Sequence, residues 1–273
     1  MSVRRRLSCC LSLLALLALS GCSDDTTAAT ADAGVDTVVA DLASDGTSPD
    51  QRPPDAGPDW TAPFDPVVCG AKPYTWLPPH TMGAVISRQR SMVYSLPKSL
   101  LKTLLDNSGY GGVVTPKYDV NVYLVRYETQ DRGEKVEATM AMGYPTLPPG
   151  EAPDKPSLLW LHGTTGFNDA CAPTASGAEA TLVAALMASQ GYVTAAPDYI
   201  GLAGFGDPST TKHAYLVGEQ VALGSLDALR AAKKVLEAEK AAVRPDGRLV
   251  VWGGSQGGHA ALHIGNRIGR DAD

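Results

Sequence analysis

Leu249-Val250-Val251-Trp252-Gly253-Gly254-Ser255-Gln256-Gly257-Gly258-His259 is the stretch on which the fold turns. Its four leading apolar residues, with no polar alternation, predict a short strand covered on both faces. The residues after it match G-x-S-x-G, and Gly258 to Ile268 reads as a helix. A sharp strand-to-helix turn of this kind lifts a serine Oγ above the end of a sheet. Gly253 and Gly257 suit it, because a side chain at either position would block so tight a turn. The helix start that follows offers free N–H groups and a dipole that favours developing negative charge. No G-x-x-x-x-G-K-[ST] is present, which argues against a phosphate-binding loop.

Working back from that turn, the chain alternates strand and helix signals. Ser157 to Leu161 is another unalternated apolar run, and Tyr192 to Ala196 a third, each expected as a buried strand. A helical pattern covers about 178 to 190 and stops at Gly191. A longer one runs from Gln220 to about Ala241, with Ala222, Leu226, Leu229 and Leu236 as its apolar stripe. Pro245-Asp246-Gly247 reads as a turn. Asp119 to Glu128 and Lys135 to Gly143 are β-rich runs joined by a polar turn containing Gly133, which predicts an antiparallel hairpin. Before them, Ser95 and Pro97 open an expected helix with Leu96, Leu100, Leu101, Leu104 and Leu105 on one side. Strands alternating with helices imply βαβ units and an α/β fold with a mostly parallel sheet flanked by helices.

The 273 residues carry a formal charge of −6, and that charge is unevenly placed. Residues 1–22 hold three arginines and no acid, and residues 23–66 hold ten aspartates against Arg52 alone, so residues 67–273 are neutral overall. A nucleic-acid binder with a basic face is excluded on that distribution. A composition that is 44% apolar excludes collagen, coiled coil and wholly disordered classes.

Met1 to Arg6 is basic, and Leu7 to Leu19 is an apolar run too short for a bilayer, which needs roughly 20 residues. This is the form of a secretory signal. Leu19-Ser20-Gly21-Cys22 resembles a bacterial lipobox, which implies that Cys22 is lipid-modified and becomes the first mature residue. Several acyl chains on one cysteine anchor stably. The Ala/Asp/Thr/Pro-rich segment 23–66 cannot bury enough apolar surface to fold and is expected as a self-repelling tether. Of five cysteines, Cys69 and Cys171 would remain in the exported domain, where one disulfide between them is possible.

Several runs in one order carry a family resemblance: His162-Gly163-Thr164-Thr165-Gly166, Cys171-Ala172-Pro173-Thr174, Ala196-Pro197-Asp198-Tyr199-Ile200-Gly201-Leu202, Tyr215-Leu216-Val217-Gly218 and Trp252-Gly253-Gly254-Ser255-Gln256-Gly257-Gly258-His259. Across residues 67–273 the chain resembles the α/β-hydrolase family of secreted bacterial lipases and esterases. The resemblance implies Ser255 as the nucleophile toward an ester carbonyl. It implies the backbone N–H of Gln256 as one oxyanion donor and that of Thr164 as the second, with Gly163 leaving room for close approach. The substrate would be a small-molecule or lipid ester, with no cofactor, no metal and no nucleic acid, and the membrane would be reached through the N-terminal lipid anchor.

His162 is expected to shape its loop, and His213 to make a buried hydrogen bond. His259 and His263 stand i, i+4 on the helix after Ser255, but the H-E-x-x-H glutamate is absent and no third zinc ligand is evident. Asp198 lies before the nucleophile, on the wrong strand for a triad acid, and is read as structural. In this fold acid and base follow the serine in the order Ser, Asp/Glu, His. Only 18 residues follow Ser255 in the sequence, so neither can be named. About 90 further residues, in three βα units, are expected, and without them Leu249 to Trp252 would form an exposed apolar edge. The expectation is an envelope-anchored serine ester hydrolase, outer-membrane, periplasmic or surface-exposed. The alternative is a non-catalytic or decayed envelope lipoprotein that keeps the fold as a binding module.

Overall fold

The computed structural model describes residues 74–107, 112, 114–175 and 179–268. The expected signal peptide, Cys22, the tether and Cys69 lie outside the described residues. No described helix is long and apolar enough to cross a membrane.

Six strands form one mixed sheet in the order β1-β2-β3-β5-β4-β6. They are β1 (Val85–Arg90), β2 (Asp119–Asp131), β3 (Glu134–Thr146), β4 (Asp154–Leu161), β5 (Val193–Pro197) and β6 (Arg244–Gly253). β4 pairs in parallel with β5 and β6, while β1/β2, β2/β3 and β3/β5 are antiparallel. Four strands, β2, β5, β4 and β6, therefore run the same way. Helices α1 (Lys98–Asn107) and α2 (Glu179–Ser189) cover one face, and α3 (Gly218–Ala238) and α4 (Gln256–Ile268) the other.

Burial explains the unalternated runs. Along β4, Leu158 and Trp160 join the core under α1 and α2, whereas Leu159 and Leu161 join the core under α3 and α4. Ala195 and Ala196 of β5 divide in the same way. Each strand is apolar on both sides because each side meets a helix. The β2–β3 hairpin closes on Arg132-Gly133, both at positive φ (52° and 86°), the two-residue turn whose twist matches paired strands. A Cβ at Gly133 would also stand 2.2 Å from the Thr75 carbonyl oxygen.

Three expectations are corrected. In α1 only Leu101 and Leu105 are buried, while Leu100 and Leu104 are 55% and 37% exposed. That helix presents a narrow stripe to the sheet, so leucines one step around the helix are left outside. In α3, Ala222 and Leu236 are buried as expected, but Leu226 and Leu229 are only partly buried, and Val221, Ala228, Ala231, Ala232 and Val235 complete the inner surface. Pro245-Asp246-Gly247 does not end a strand. It is a bulge within β6, where Lys155 pairs with Pro245 but Ser157 with Leu249, and Arg248 N–H donates to Asp246 Oδ1 at 2.9 Å.

Among the described residues β6 is an edge strand, and Val250 and Trp252 are 42% and 49% exposed. At the opposite edge β1 carries Arg88 and Arg90, charges that discourage further pairing.

Candidate active site at the turn after β6

β6 and β4 end side by side, Leu161 opposite Gly253, so the two loops that follow emerge together. Ser255 sits on the first of them at φ +55°, a left-handed conformation costing a non-glycine residue about 1–2 kcal/mol. Two glycines make that turn possible. A Cβ on Gly253 would stand 2.4 Å from Gly257 O, and one on Gly257 would stand 2.0 Å from Leu161 O. The missing side chains let the start of α4 descend against the end of β4. Gly257 N–H then donates to Gly254 O at 2.9 Å, and His259 N–H to Ser255 O at 3.1 Å. Ser255 is left exposed at the sheet end, while Gln256 beside it is buried.

The loop after β4 approaches the same point. A Cβ built on Gly163 would meet Gly254 O at 3.7 Å and Ser255 Cβ at 3.8 Å, so its backbone runs alongside the serine turn. Thr164, next in the chain, is exposed, and its Oγ1 lies 3.1 Å from the Tyr215 hydroxyl. Both expected oxyanion donors are thus carried on segments that border Ser255. As the first residue of α4, Gln256 has a backbone N–H without an intrahelical acceptor.

Supporting residues fix this geometry from beneath. His162 is buried, with Nδ1 2.6 Å from Gly163 O and Nε2 3.1 Å from Asp198 O. A neutral ring donates to only one of these carbonyls. Burial outweighs both bonds and holds its pKa down at about 4, so the ring is uncharged at neutral pH. Tyr199, itself at φ +70°, donates its hydroxyl to His162 O at 2.9 Å and stacks on the His162 ring at 4.0 Å. Asp198, buried just after β5, is engaged by β3 and by the Thr174 segment. Its carboxylate accepts from Thr139 Oγ1 at 2.6 Å, from Thr174 N at 2.9 Å and from Thr174 Oγ1. Burial pushes that carboxyl up to about 7. Asp169 plays a similar part on the surface, accepting from Ala203 N at 2.7 Å and Ser209 N at 2.8 Å.

Two contacts were not legible in the sequence. The Gln256 side-chain Nε2 lies 2.9 Å from His213 Nε2, and Phe167 packs edge-on against Tyr215 at 5.5 Å. Gln256 and His213 are 43 residues apart with no shared pattern to announce the pairing. Phe167 is 63% exposed and Tyr215 39%, forming an aromatic margin beside Thr164. His259 and His263 stand 4.5 Å apart, but no group of three metal-ligating side chains occurs among the described residues. Cys171 is buried with Sγ 3.4 Å from Asn168 Oδ1. No side chain among the described residues hydrogen-bonds Ser255 Oγ.

Residues 168–266 match the family described as secretory lipase. No curated protein gives a match. Among solved structures, the ligand-bound rice cell wall degrading esterase LipA from Xanthomonas oryzae is similar at 27% identity and a TM-score of 0.56, covering 68% of this chain and 46% of its own. A putative hydrolase from Legionella pneumophila subsp. pneumophila str. Philadelphia 1 shares the fold at 23% identity and a TM-score of 0.56, over 68% of this chain and 48% of its own. The chain therefore spans about half the length of the solved structures it matches. By its sheet, its glycine-flanked serine turn and these likenesses, the chain has the fold of α/β-hydrolases and resembles secreted lipases and esterases.

Proposed function

We propose that the chain is an exported serine hydrolase of carboxylic esters, with Ser255 as its nucleophile. The observation that carries the reading is Ser255 at φ +55°, held between two glycines whose Cβ atoms would strike backbone. Strain of this kind persists where the surrounding structure enforces it, and it clusters at functional sites. Ser255 Oγ attacks the ester carbonyl, its proton passing to the base that follows the nucleophile in the chain order of this fold. The C–O bond to the alcohol breaks, the acyl group stays on Oγ, and water releases it. Negative charge on the carbonyl oxygen is met by the N–H groups of Gln256 and Thr164 and by the N-terminus of α4.

The reading extends to the parts outside the described residues. Lipid on Cys22 would hold the domain to the cell envelope through the 23–66 tether. A single domain begins at about residue 67 in this organisation. Esters, small or lipid, are the substrate class, and the aromatic margin of Phe167 and Tyr215 offers their apolar parts a surface.

Hydrolysis of p-nitrophenyl butyrate by a chain that carries the acid and base this fold places after the nucleophile tests the proposal. Turnover that disappears in Ser255→Ala supports it, and turnover unchanged in that variant overturns it. A chain inert to esters and to fluorophosphonates supports the binding-module alternative.

A further inference from the structure

The two expected oxyanion donors stand on different segments, Gln256 at the start of α4 and Thr164 beyond the end of β4. Their relative position must be held to a fraction of an ångström for both to reach one oxygen. One side chain contacts the supports of both. His213 Nδ1 lies 3.1 Å from Ile200 O, and its Nε2 lies 2.9 Å from Gln256 Nε2. A carbonyl only accepts, so Nδ1 carries the proton. In the neutral ring Nε2 is then an acceptor, the partner the Gln256 amide N–H requires. Burial favours that neutral ring.

On its other side the His213 ring lies parallel to Tyr199, 6.2 Å between centroids and 7° between planes. Tyr199 donates to His162 O, on the residue that precedes Gly163-Thr164. The His213 backbone is itself locked. A Cβ on Gly201, at φ +86°, would stand 2.2 Å from His213 N, so the loop and the His213 segment are in direct backbone contact.

We propose that His213 is a positioning residue: by accepting from the Gln256 side chain and packing on Tyr199, it holds the Gln256 and Thr164 N–H groups in register around one oxyanion. The proposal rests on the ester-hydrolase reading of Ser255. His213 reaches the reacting atoms only through these neighbours.

Two substitutions separate the bond from the space it fills. His213→Gln keeps an acceptor oxygen near the place of Nε2, whereas His213→Asn keeps a donor near Nδ1 and loses the acceptor. Gln256→Leu removes the same bond from the other side, and serves if His213→Asn does not fold. Backbone order parameters are measured at Gln256 and Thr164, together with kcat and KM for p-nitrophenyl butyrate, in a chain that carries the acid and base this fold places after the nucleophile. Expected for His213→Asn and Gln256→Leu are order parameters falling from about 0.85 toward 0.6 at Gln256. Their kcat should fall on the order of 10- to 100-fold, with KM within about twofold, as when a transition-state contact is lost. His213→Gln should restore kcat to within about threefold of the parent. Order parameters and kcat unchanged in both bond-deleting variants, or His213→Gln as impaired as His213→Asn, overturn the proposal. Turnover that survives Ser255→Ala, or is absent in the parent, overturns the hydrolase reading instead. The order parameters then decide alone whether His213 holds Gln256.

Discussion

Replacing Gly257 by alanine places a methyl group 2.0 Å from Leu161 O, 2.7 Å from Leu161 C and 2.8 Å from His162 O. All three are backbone atoms of β4 and its exit, and no side-chain rotation relieves them. Cβ contacts below 3.0 Å essentially never occur, so α4 must withdraw from β4 by at least about 1 Å. Overpacking against an unyielding partner costs about 3 kcal/mol, the upper part of its usual range. For a domain of this size that lowers Tm by about 6–12 °C. The same displacement carries Ser255 and the Gln256 N–H away from the Gly163 loop. A shift on the order of 1 Å at a catalytic group costs on the order of 10²-fold in rate. Gly258 supplies the control, because its Cβ would meet only Gly253 O at an ordinary 3.7 Å. Within a helix that exchange stabilises by roughly 0.5–1 kcal/mol. Thermal unfolding followed by circular dichroism should therefore move in opposite directions for Gly257→Ala and Gly258→Ala. Equal Tm values for the two variants would refute the close packing of α4 on β4.

Other consequences follow from buried groups and turns. The Asp198 carboxyl, pushed up to about 7, binds a proton in the folded chain before the unfolded chain does, so its contribution to stability falls as pH rises from about 4 to 7. His162, held down at about 4, binds fewer protons when folded, so its contribution grows as pH rises from about 4 to 6.5. Urea midpoints across that window should rise more steeply with pH in Asp198→Asn and more shallowly in His162→Asn; a change of the same sign in both would contradict these assignments. Gly133→Ala combines φ +86° with a 2.2 Å approach to Thr75 O, and should lower stability by about 1–3 kcal/mol in chemical unfolding. Gly265→Ala, with nothing within 4 Å of its Cβ, should raise Tm by a few degrees.

Much of the fold is written locally in the chain. Leu158 to Leu161 and Val193 to Ala196 lack alternation because helices cover both faces, and that pattern is visible without coordinates. The serine turn is visible too, since Gly253 answers a steric demand within five residues, whereas the demand on Gly257 comes from Leu161 at the end of β4. β1 was not legible: five of its six residues are exposed, so it carries no burial pattern and is held mainly by pairing with β2. The Pro245-Gly247 bulge looked like a turn because turn residues and bulge residues are the same kinds. Which of the leucines in α1 face inward depends on where the helix axis lies over the sheet, a tertiary fact. The joining of Gln256 to His213, and of Tyr199 to His162, depends on loops that meet only after the sheet has formed.

The ester-hydrolase proposal requires Ser255 to be an activated nucleophile. Treatment of a chain that carries the acid and base this fold places after the nucleophile with a fluorophosphonate, followed by proteolysis and mass spectrometry, reads it directly. One phosphonyl group is expected on the peptide that contains Ser255, absent in Ser255→Ala. An unmodified Ser255, or labelling of equal extent in Ser255→Ala, would contradict it.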